Sequence, residues 1–174
     1  MNRNARLFQV TAPSRSTSPD YQNLNDVLRK EIEEVNARLP EEDRIVHLDK
    51  GIPAPQNYRF LKEVEVMLVT PLEDGMNLVA FEYILSQKYK AKKGLLVLSA
   101  SGASRVLKQK GFGEEDGIVY INPLRPKEAG SRVAKALQQE RRISERLVKY
   151  VETERRVDDW AQMNIEAIMR SRKT

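Results

Sequence analysis

The residues best suited to bind a ligand lie in the segment from Val64 to Tyr83. Asp74 is followed directly by Gly75, and Glu82 lies about two turns into the helical pattern that comes next. A carboxylate accepts hydrogen bonds from sugar hydroxyl groups, and glycine, which has no side chain, lets a ligand approach the backbone closely. These residue types in this order indicate a site for a hydroxylated ligand such as a sugar or a ribose.

The sequence around Asp74 predicts a strand, a tight loop and a helix. The apolar run VMLV at 66–69 suits a strand buried on both faces of a parallel sheet. Pro71 ends that strand, because proline has no backbone N–H to donate to the ladder. A helix with one apolar face follows, formed by Met76, Val79, Ala80, Tyr83 and Ile84. In open parallel sheets, ligands bind at the carboxyl ends of the strands and phosphates bind at helix N-termini.

The same residues also have an ordinary structural interpretation. Asp74 can serve as a helix N-cap, Gly75 as a turn residue and Glu82 as a solvated helix residue. Strand–loop–helix corners occur throughout α/β proteins, so the spacing alone leaves both interpretations open.

The order of residues at this corner resembles a known signature. Residues 70–83, TPLEDGMNLVAFEY, resemble the TPLRDGMNLVAKEY signature of the trehalose-6-phosphate synthase family. Three other segments resemble the family in register: QVTAPSR at 9–15 resembles QVAVPSR, GLLVLS at 94–99 resembles the start of GVLVLSEFAGA, and INP at 121–123 resembles VNP. The resemblance covers roughly residues 6–165.

This resemblance implies a retaining glycosyltransferase of the two-domain GT-B architecture. We therefore expect residues 1–174 to form a single nucleotide-sugar-binding, Rossmann-like domain, the C-terminal half of a GT-B fold, with a helical segment at about 127–170. The implied reaction transfers glucose from UDP-glucose or GDP-glucose to glucose 6-phosphate with retention. No cofactor and no metal are implied, because such enzymes stabilise the leaving diphosphate with basic side chains and helix dipoles.

The resemblance also assigns roles to residues that match the signature. Asp74 is the implied catalytic residue, which accepts hydrogen bonds from hydroxyls of the donor sugar. Backbone N–H groups at the start of the helix would bind the sugar and the diphosphate, and they belong to Gly75, Met76, Asn77, Leu78 and Val79. Glu82 would bind the ribose, Ile52 the base and Arg15 the acceptor phosphate. Ile52 is equally compatible with a core position, and Arg15 with an ordinary loop.

The sequence departs from the family signature in several places. Phe81 and Glu73 stand where the signature has lysine and arginine, and the segment after Ser99 lacks the family's Glu-Phe pair. A DRLDYSKG-like segment, which supplies a basic pair in the family, is absent. We therefore expect the chain to start at the second strand of the nucleotide domain, and a partner chain or domain to supply the acceptor half. Two alternatives remain: a non-catalytic sugar-nucleotide-binding or regulatory relative, and a transferase with a different phosphorylated acceptor.

The composition argues against several other classes of protein. The chain has no cysteine and one histidine, His47, which excludes disulfides and clusters of thiolate or histidine metal ligands. The net charge of +5 comes from 30 basic and 25 acidic residues, mostly interleaved as on solvated helix faces, so no nucleic-acid partner is expected. No apolar run approaches the roughly 20 residues of a membrane helix, and no signal peptide is visible, so the expected location is the cytoplasm.

Strand and helix patterns alternate along the whole chain. Strands are expected at 6–12, 45–48, 66–69, 95–99 and 118–121, and helices at 18–39, 55–62, 76–89, 101–110 and 127–170. Ser18 and Pro19 mark the first helix start, as a hydroxyl cap followed by proline at the first helical position. The alternation predicts an α/β fold with a doubly wound, mostly parallel five-stranded sheet.

Overall fold

The computed structural model describes residues 6–11, 18–75, 77–100 and 102–154. The strands are β1 (Phe8–Val10), β2 (Val46–Leu48), β3 (Val66–Val69), β4 (Leu95–Leu98) and β5 (Ile118–Tyr120). The α-helices are α1 (Pro19–Asn36), α2 (Ala54–Glu63), α3 (Leu78–Ser86), α4 (Gly102–Gln109), α5 (Pro126–Gln138) and α6 (Glu145–Glu154). Short 3₁₀ turns lie at Glu41–Asp43 and Glu114–Asp116. The helical segment expected at 127–170 is therefore present as α5 and α6, and its part beyond residue 154 lies outside the described residues.

All the described strand pairings are parallel, and they form two sheets. One sheet has the order β1–β2 and the other the order β3–β4–β5. The chain correspondingly divides into two compact units, residues 1–57 and residues 58–174. The predicted α/β class with parallel strands is confirmed. All five expected strands are present, and they form a ladder of two strands and a ladder of three strands.

The first unit is built from β1, β2 and α1. Gln9 pairs with His47 in the register of its two strands. The helix begins after Ser18 as predicted, with Pro19 at its first turn, but the Ser18 side chain makes no capping hydrogen bond. At the other end, the Asn36 side chain donates to the carbonyl of Ile45 (3.0 Å) and accepts from its N–H (2.7 Å). This pair of bonds fixes the connection from α1 to β2.

The second unit has β4 at the centre of its sheet. All of β4 is buried, and its side chains alternate between two core clusters. Leu96 and Leu98 pack into the cluster that includes residues of α3, α4 and α6, whereas Leu95 and Val97 pack with Ala136 of α5. Helices therefore cover both faces of this sheet, as a doubly wound fold requires.

The prediction that β3 is buried on both faces is wrong. Leu68 is 44% exposed, and Val69 is the only buried residue of that strand. The reason is topological: β3 is an edge strand of the three-stranded sheet, and β4 occupies the centre. Its apolar sequence suits both positions, so the pattern alone does not distinguish an edge from a centre.

Helix α3 is anchored by an unusually buried polar side chain just after its C-terminus. Gln87 is fully buried, and its amide nitrogen donates to the carbonyl of Leu61 at 2.9 Å. Its amide oxygen accepts from the N–H of Gly94 at 2.9 Å. Helix α6 packs on α3 in the same core cluster, and Lys88, two residues beyond the end of α3, forms an ion pair with Glu152 of α6. These contacts fix the far end of α3 and so constrain the position of its N-terminus.

Candidate functional site

The loop between β3 and α3 is held at two points by the turn that follows β4. The Ser99 hydroxyl donates to the carbonyl of Pro71, directly after β3. The N–H of Gly102, at the start of α4, donates to the carbonyl of Asp74 at 3.0 Å. Both contacts lie at the carboxyl edge of the three-stranded sheet, where the sequence predicts the ligand site. The backbone of this loop is therefore fixed by the turn after β4 as well as by the loop's own sequence.

Asn77 is the N-cap of α3. Its backbone is extended (φ −81°, ψ 108°), and its side-chain oxygen accepts from the N–H of Val79 at 3.0 Å. The alternative interpretation of Asp74 as the N-cap is therefore wrong, because Asn77 occupies that position. The capping role of the Asn77 side chain was missed at the sequence level. Asparagine directly before an apolar helical run is a recognised N-cap signal, and this signal would have identified Asn77 as the cap.

The Asp74 side chain lies against Asn77. The amide nitrogen of Asn77 donates to Oδ2 of Asp74 at 3.0 Å, and Asp74 is half-buried. A carboxylate offers about four lone-pair positions on its two oxygens. One bond to Asn77 thus leaves Asp74 further acceptor capacity for hydroxyl groups of a ligand.

The backbone at Gly75 is open on the side where a side chain would lie. Apart from its two chain neighbours, no atom of the described residues lies within 4 Å of a Cβ added to this exposed glycine. Leu78, the first residue of α3, is 62% exposed, and the first N–H groups of a helix have no partner within the helix. The N–H of Val79, also part of the expected amide cradle, already donates to the Asn77 side chain. The start of α3 thus combines backbone donors, the positive end of the helix dipole and room for an anion.

The remaining predicted site residues lie at other places. Glu82 is exposed on α3, one turn beyond Leu78 and about 6 Å along the helix axis. Ile52 is half-buried and lies in the first unit, between β2 and α2. Arg15 and Met76 lie outside the described residues. Of the predicted set, the structure brings together Asp74, Gly75, Asn77, Leu78 and Val79 at one corner, with Glu82 on the same helix.

Phe81, which stands where the family signature has lysine, is part of the hydrophobic core. Its side chain is 7% exposed and belongs to the core cluster, with Tyr83 and Ile84 from the same helix. An apolar ring thus fills the position where the family signature has lysine.

Within the described parts of the chain, no group of three His, Asp or Glu side chains is arranged to hold a metal ion. No helix in those parts is both long and apolar enough to span a bilayer.

A parallel sheet with helices on both faces and a polar strand–loop–helix corner at its carboxyl edge defines a Rossmann-like α/β protein. The chain belongs to glycosyltransferase family 20, whose family model matches residues 1–170. This membership confirms the family resemblance of the corner sequence.

Individual relatives and solved structures agree with this membership. A probable α,α-trehalose-phosphate synthase (UDP-forming) of Arabidopsis thaliana is 31% identical over 176 residues, which cover 95% of this chain and 21% of the relative. An α,α-trehalose-phosphate synthase (UDP-forming) from Burkholderia xenovorans, crystallised in complex with glucose-6-phosphate, is 28% identical with a TM-score of 0.78, covering 93% of this chain and 35% of that chain. A structure of "trehalose-6-phosphate from E. coli bound with UDP-2-fluoro glucose" is 27% identical with a TM-score of 0.80, covering 93% of this chain and 35% of that chain.

The overlap with these proteins has two consequences. The expected fold class, part of a GT-B α/β architecture, is confirmed by the similarity to the two solved structures. The chain spans between 21% and 35% of the length of these proteins. The chain therefore corresponds to only a part of each of these proteins.

Proposed function

We propose that this chain is the nucleotide-sugar-binding part of a trehalose-6-phosphate synthase-like glycosyltransferase. The reaction is transfer of glucose from a nucleotide sugar to glucose 6-phosphate with retention of the anomeric configuration. UDP-glucose is the preferred donor candidate over GDP-glucose, because the Arabidopsis and Burkholderia relatives are UDP-forming and the E. coli structure holds a UDP-sugar. Glucose 6-phosphate is supported as the acceptor by its presence in the Burkholderia structure.

The observation that carries this proposal is the corner formed by Asp74, Asn77 and the start of α3. A half-buried carboxylate and a helix N-terminus are placed within one short loop at the carboxyl edge of a parallel sheet. The carboxylate suits the hydroxyls of a neutral sugar, and the helix N-terminus suits the negative charge of a diphosphate. A nucleotide sugar carries both groups next to each other, so one ligand satisfies both parts of the corner.

The proposed roles of individual residues follow the chemistry of the ligand. Asp74 binds hydroxyls of the donor glucose. The backbone N–H groups that bind the sugar and the diphosphate belong to Gly75, Met76, Asn77, Leu78 and Val79. The Val79 N–H already donates to the Asn77 side chain, and it is shared between that oxygen and the ligand. Glu82 binds the ribose, Ile52 contacts the base and Arg15 binds the acceptor phosphate. The enzyme needs no metal in this proposal, since helix dipoles and basic groups stabilise the leaving diphosphate.

The acceptor half of the site is proposed to come from a partner chain or domain. In a two-domain glycosyltransferase the anomeric carbon and the acceptor hydroxyl meet in a cleft, and closure orients them and excludes water. The 174 residues, proposed to form one nucleotide-sugar domain, match about a third of the solved synthase structures. The cytoplasm, where nucleotide sugars and sugar phosphates are made, is the proposed location, with no nucleic-acid or membrane partner.

Calorimetric titration of the purified chain with UDP-glucose and GDP-glucose, each with and without glucose 6-phosphate, tests donor binding. We expect UDP-glucose to bind more tightly than UDP, because Asp74 adds contacts to the sugar. The affinity is expected to be weak: the basic pair of the DRLDYSKG-like segment is absent, and two charge-assisted contacts of roughly 1.5–3 kcal/mol each correspond to about 10²–10⁴ in affinity. Equal affinity for UDP and UDP-glucose would contradict the proposal, and sub-micromolar binding would show that the donor site is more complete than proposed.

An assay for trehalose 6-phosphate tests catalysis. The chain mixed with UDP-glucose and glucose 6-phosphate is expected to give no product by itself. Activity is expected only when a protein that supplies the acceptor half is added, because each missing electrostatic donor costs about 10²–10³ in rate. Multiple turnovers by the chain alone would instead mean that copies of this chain build the cleft between them.

A further inference from the structure

The Asn77 side chain makes two hydrogen bonds at the same time, one to the backbone of α3 and one to the Asp74 carboxylate. We propose that Asn77 is a positioning residue, which holds the Asp74 carboxylate in the orientation that accepts a hydroxyl of the donor sugar. This inference rests on the proposed function of the same corner. It adds a side-chain role for Asn77 to the backbone role inferred from the sequence.

The two partners allow only one orientation of the Asn77 amide. The N–H of Val79 is a donor and therefore needs the amide oxygen, at 3.0 Å. The Asp74 carboxylate is an acceptor and therefore needs the amide nitrogen, also at 3.0 Å. The reversed amide would place two donors together and two acceptors together. Helix α3 thus fixes Asn77, and Asn77 in turn fixes Asp74.

Asp74 is restrained at its backbone as well as at its side chain. Its carbonyl accepts from the N–H of Gly102 at 3.0 Å, and its Oδ2 accepts from Asn77. With both ends held, the second carboxylate oxygen, Oδ1, keeps one direction relative to the start of α3. A group fixed before binding loses little conformational entropy when the ligand arrives, so the restraint strengthens binding of the sugar.

Two substitutions separate this role from helix capping. Asparagine, serine and aspartate are all good N-caps, so Asn77→Ser and Asn77→Asp both preserve a cap for α3. The serine side chain lacks the amide that donates to Asp74. The aspartate side chain places a second carboxylate where that amide lies, which repels Asp74. Asn122→Ser is the matched control, since the Asn122 side chain accepts from the N–H of Leu124 at 3.0 Å in a similar turn after β5.

The measurement is the ratio of the dissociation constants for UDP and for UDP-glucose, obtained by calorimetry on the 174-residue chain. The ratio isolates the contribution of the sugar, because any effect on the binding of the nucleotide part is the same for both ligands and cancels. We expect both Asn77 variants to lower the ratio about tenfold, which is the lower end for a hydrogen bond to a charged group. Asn122→Ser is expected to leave the ratio unchanged. In an Asp74→Ala background the Asn77 changes are expected to have no further effect, because they act through Asp74.

Each outcome distinguishes the inference from the proposed function. If the wild-type chain gains affinity from the sugar and both Asn77 variants keep that gain, Asn77 is only a helix cap and the inference is wrong. If Asn77→Ser still lowers the ratio in the Asp74→Ala background, the residue acts directly and not by positioning. If the wild-type ratio is one, the proposed function itself fails, and the positioning role for a sugar fails with it.

Discussion

Gly94 and Tyr83 approach each other so closely that no methyl group fits between them. A Cβ on Gly94 would lie 1.9 Å from the Tyr83 hydroxyl oxygen and 2.7 Å from the carbonyl oxygen of Glu65. Tyr83 is fully buried on α3, and its hydroxyl donates to the carbonyl of Val64 at 3.2 Å. Glycine at position 94 therefore allows α3 to pack closely against the start of β4. This packing also helps to determine where the corner at the N-terminus of α3 lies.

Gly94→Ala is expected to destabilise the fold. The methyl group clashes with both a buried tyrosine and a backbone carbonyl, and overpacking of this kind typically costs about 1–3 kcal/mol. Urea unfolding measures the change in the free energy of unfolding. Gly130→Ala is the control: Gly130 is exposed within α5, a Cβ there meets no atom within 4 Å, and alanine in a helix is favoured over glycine by about 1 kcal/mol. Equal effects of the two changes would mean that Gly94 is not tightly packed.

Gln87→Met is expected to destabilise the chain although it preserves the size of the side chain. The change removes the hydrogen bonds of the Gln87 amide to the carbonyl of Leu61, the N–H of Gly94 and the Ser86 hydroxyl, so the first two backbone groups lose these bonds inside the core. A buried polar group left unsatisfied costs about 1–3 kcal/mol. Thermal and urea unfolding check the expected loss. Gln109→Met, at an exposed position at the end of α4, is expected to have a much smaller effect.

The stability of the fold is expected to fall below about pH 4 because of Asp116. Burial by itself raises the pKa of this carboxyl group, but hydrogen bonds from Arg146, Ser144 and the N–H of Gly113 outweigh it, and the net pKa is lower than usual. The folded state therefore favours the carboxylate. Its contribution is fully present above the unfolded pKa of about 3.9 and is lost as the pH falls through the lower folded pKa.

Asp116→Asn tests this origin of the acid sensitivity. At pH 7 the variant is expected to be less stable by about 1–3 kcal/mol, because the carboxylate bonds are lost in a buried position. Its urea midpoint is also expected to change less than that of the wild type between pH 7 and pH 3. Glu114→Gln serves as the control, since Glu114 pairs with Arg132 at 2.7 Å on the surface, with both side chains 42% exposed. An unchanged pH dependence in Asp116→Asn would assign the acid sensitivity to other carboxylates.

Asp74→Ala is expected to remove recognition of the sugar more than recognition of the nucleotide. Asp74 is proposed to touch the glucose, whereas backbone amides and Glu82 are proposed to hold the diphosphate and the ribose. Calorimetry is therefore expected to show that UDP binding survives and that the extra affinity for UDP-glucose disappears. Glu73→Ala, which removes the exposed carboxylate one residue earlier, is expected to retain that extra affinity. Parallel losses for UDP and UDP-glucose in Asp74→Ala would indicate that Asp74 serves mainly to hold the loop.

Local sequence patterns predict the kinds of element, their order and the location of the corner. The apolar run at 66–69, Pro71 and the helical spacing after Gly75 predict β3, the loop and α3 close to where they lie. These predictions succeed because strand and helix periodicity, proline and glycine act over a few neighbouring residues. The corner sequence was also sufficient to indicate the family to which the chain belongs.

Contacts between segments that are far apart in the sequence are visible only in the folded chain. Gly102 holds the Asp74 carbonyl from a segment 28 residues further along the chain, and Ser99 holds the carbonyl of Pro71 in the same way. Likewise, β3 lies at the edge of its sheet and β4 at the centre, although both have apolar sequences. Contacts of this kind depend on which distant segments pack together, and local periodicity carries no information about that choice.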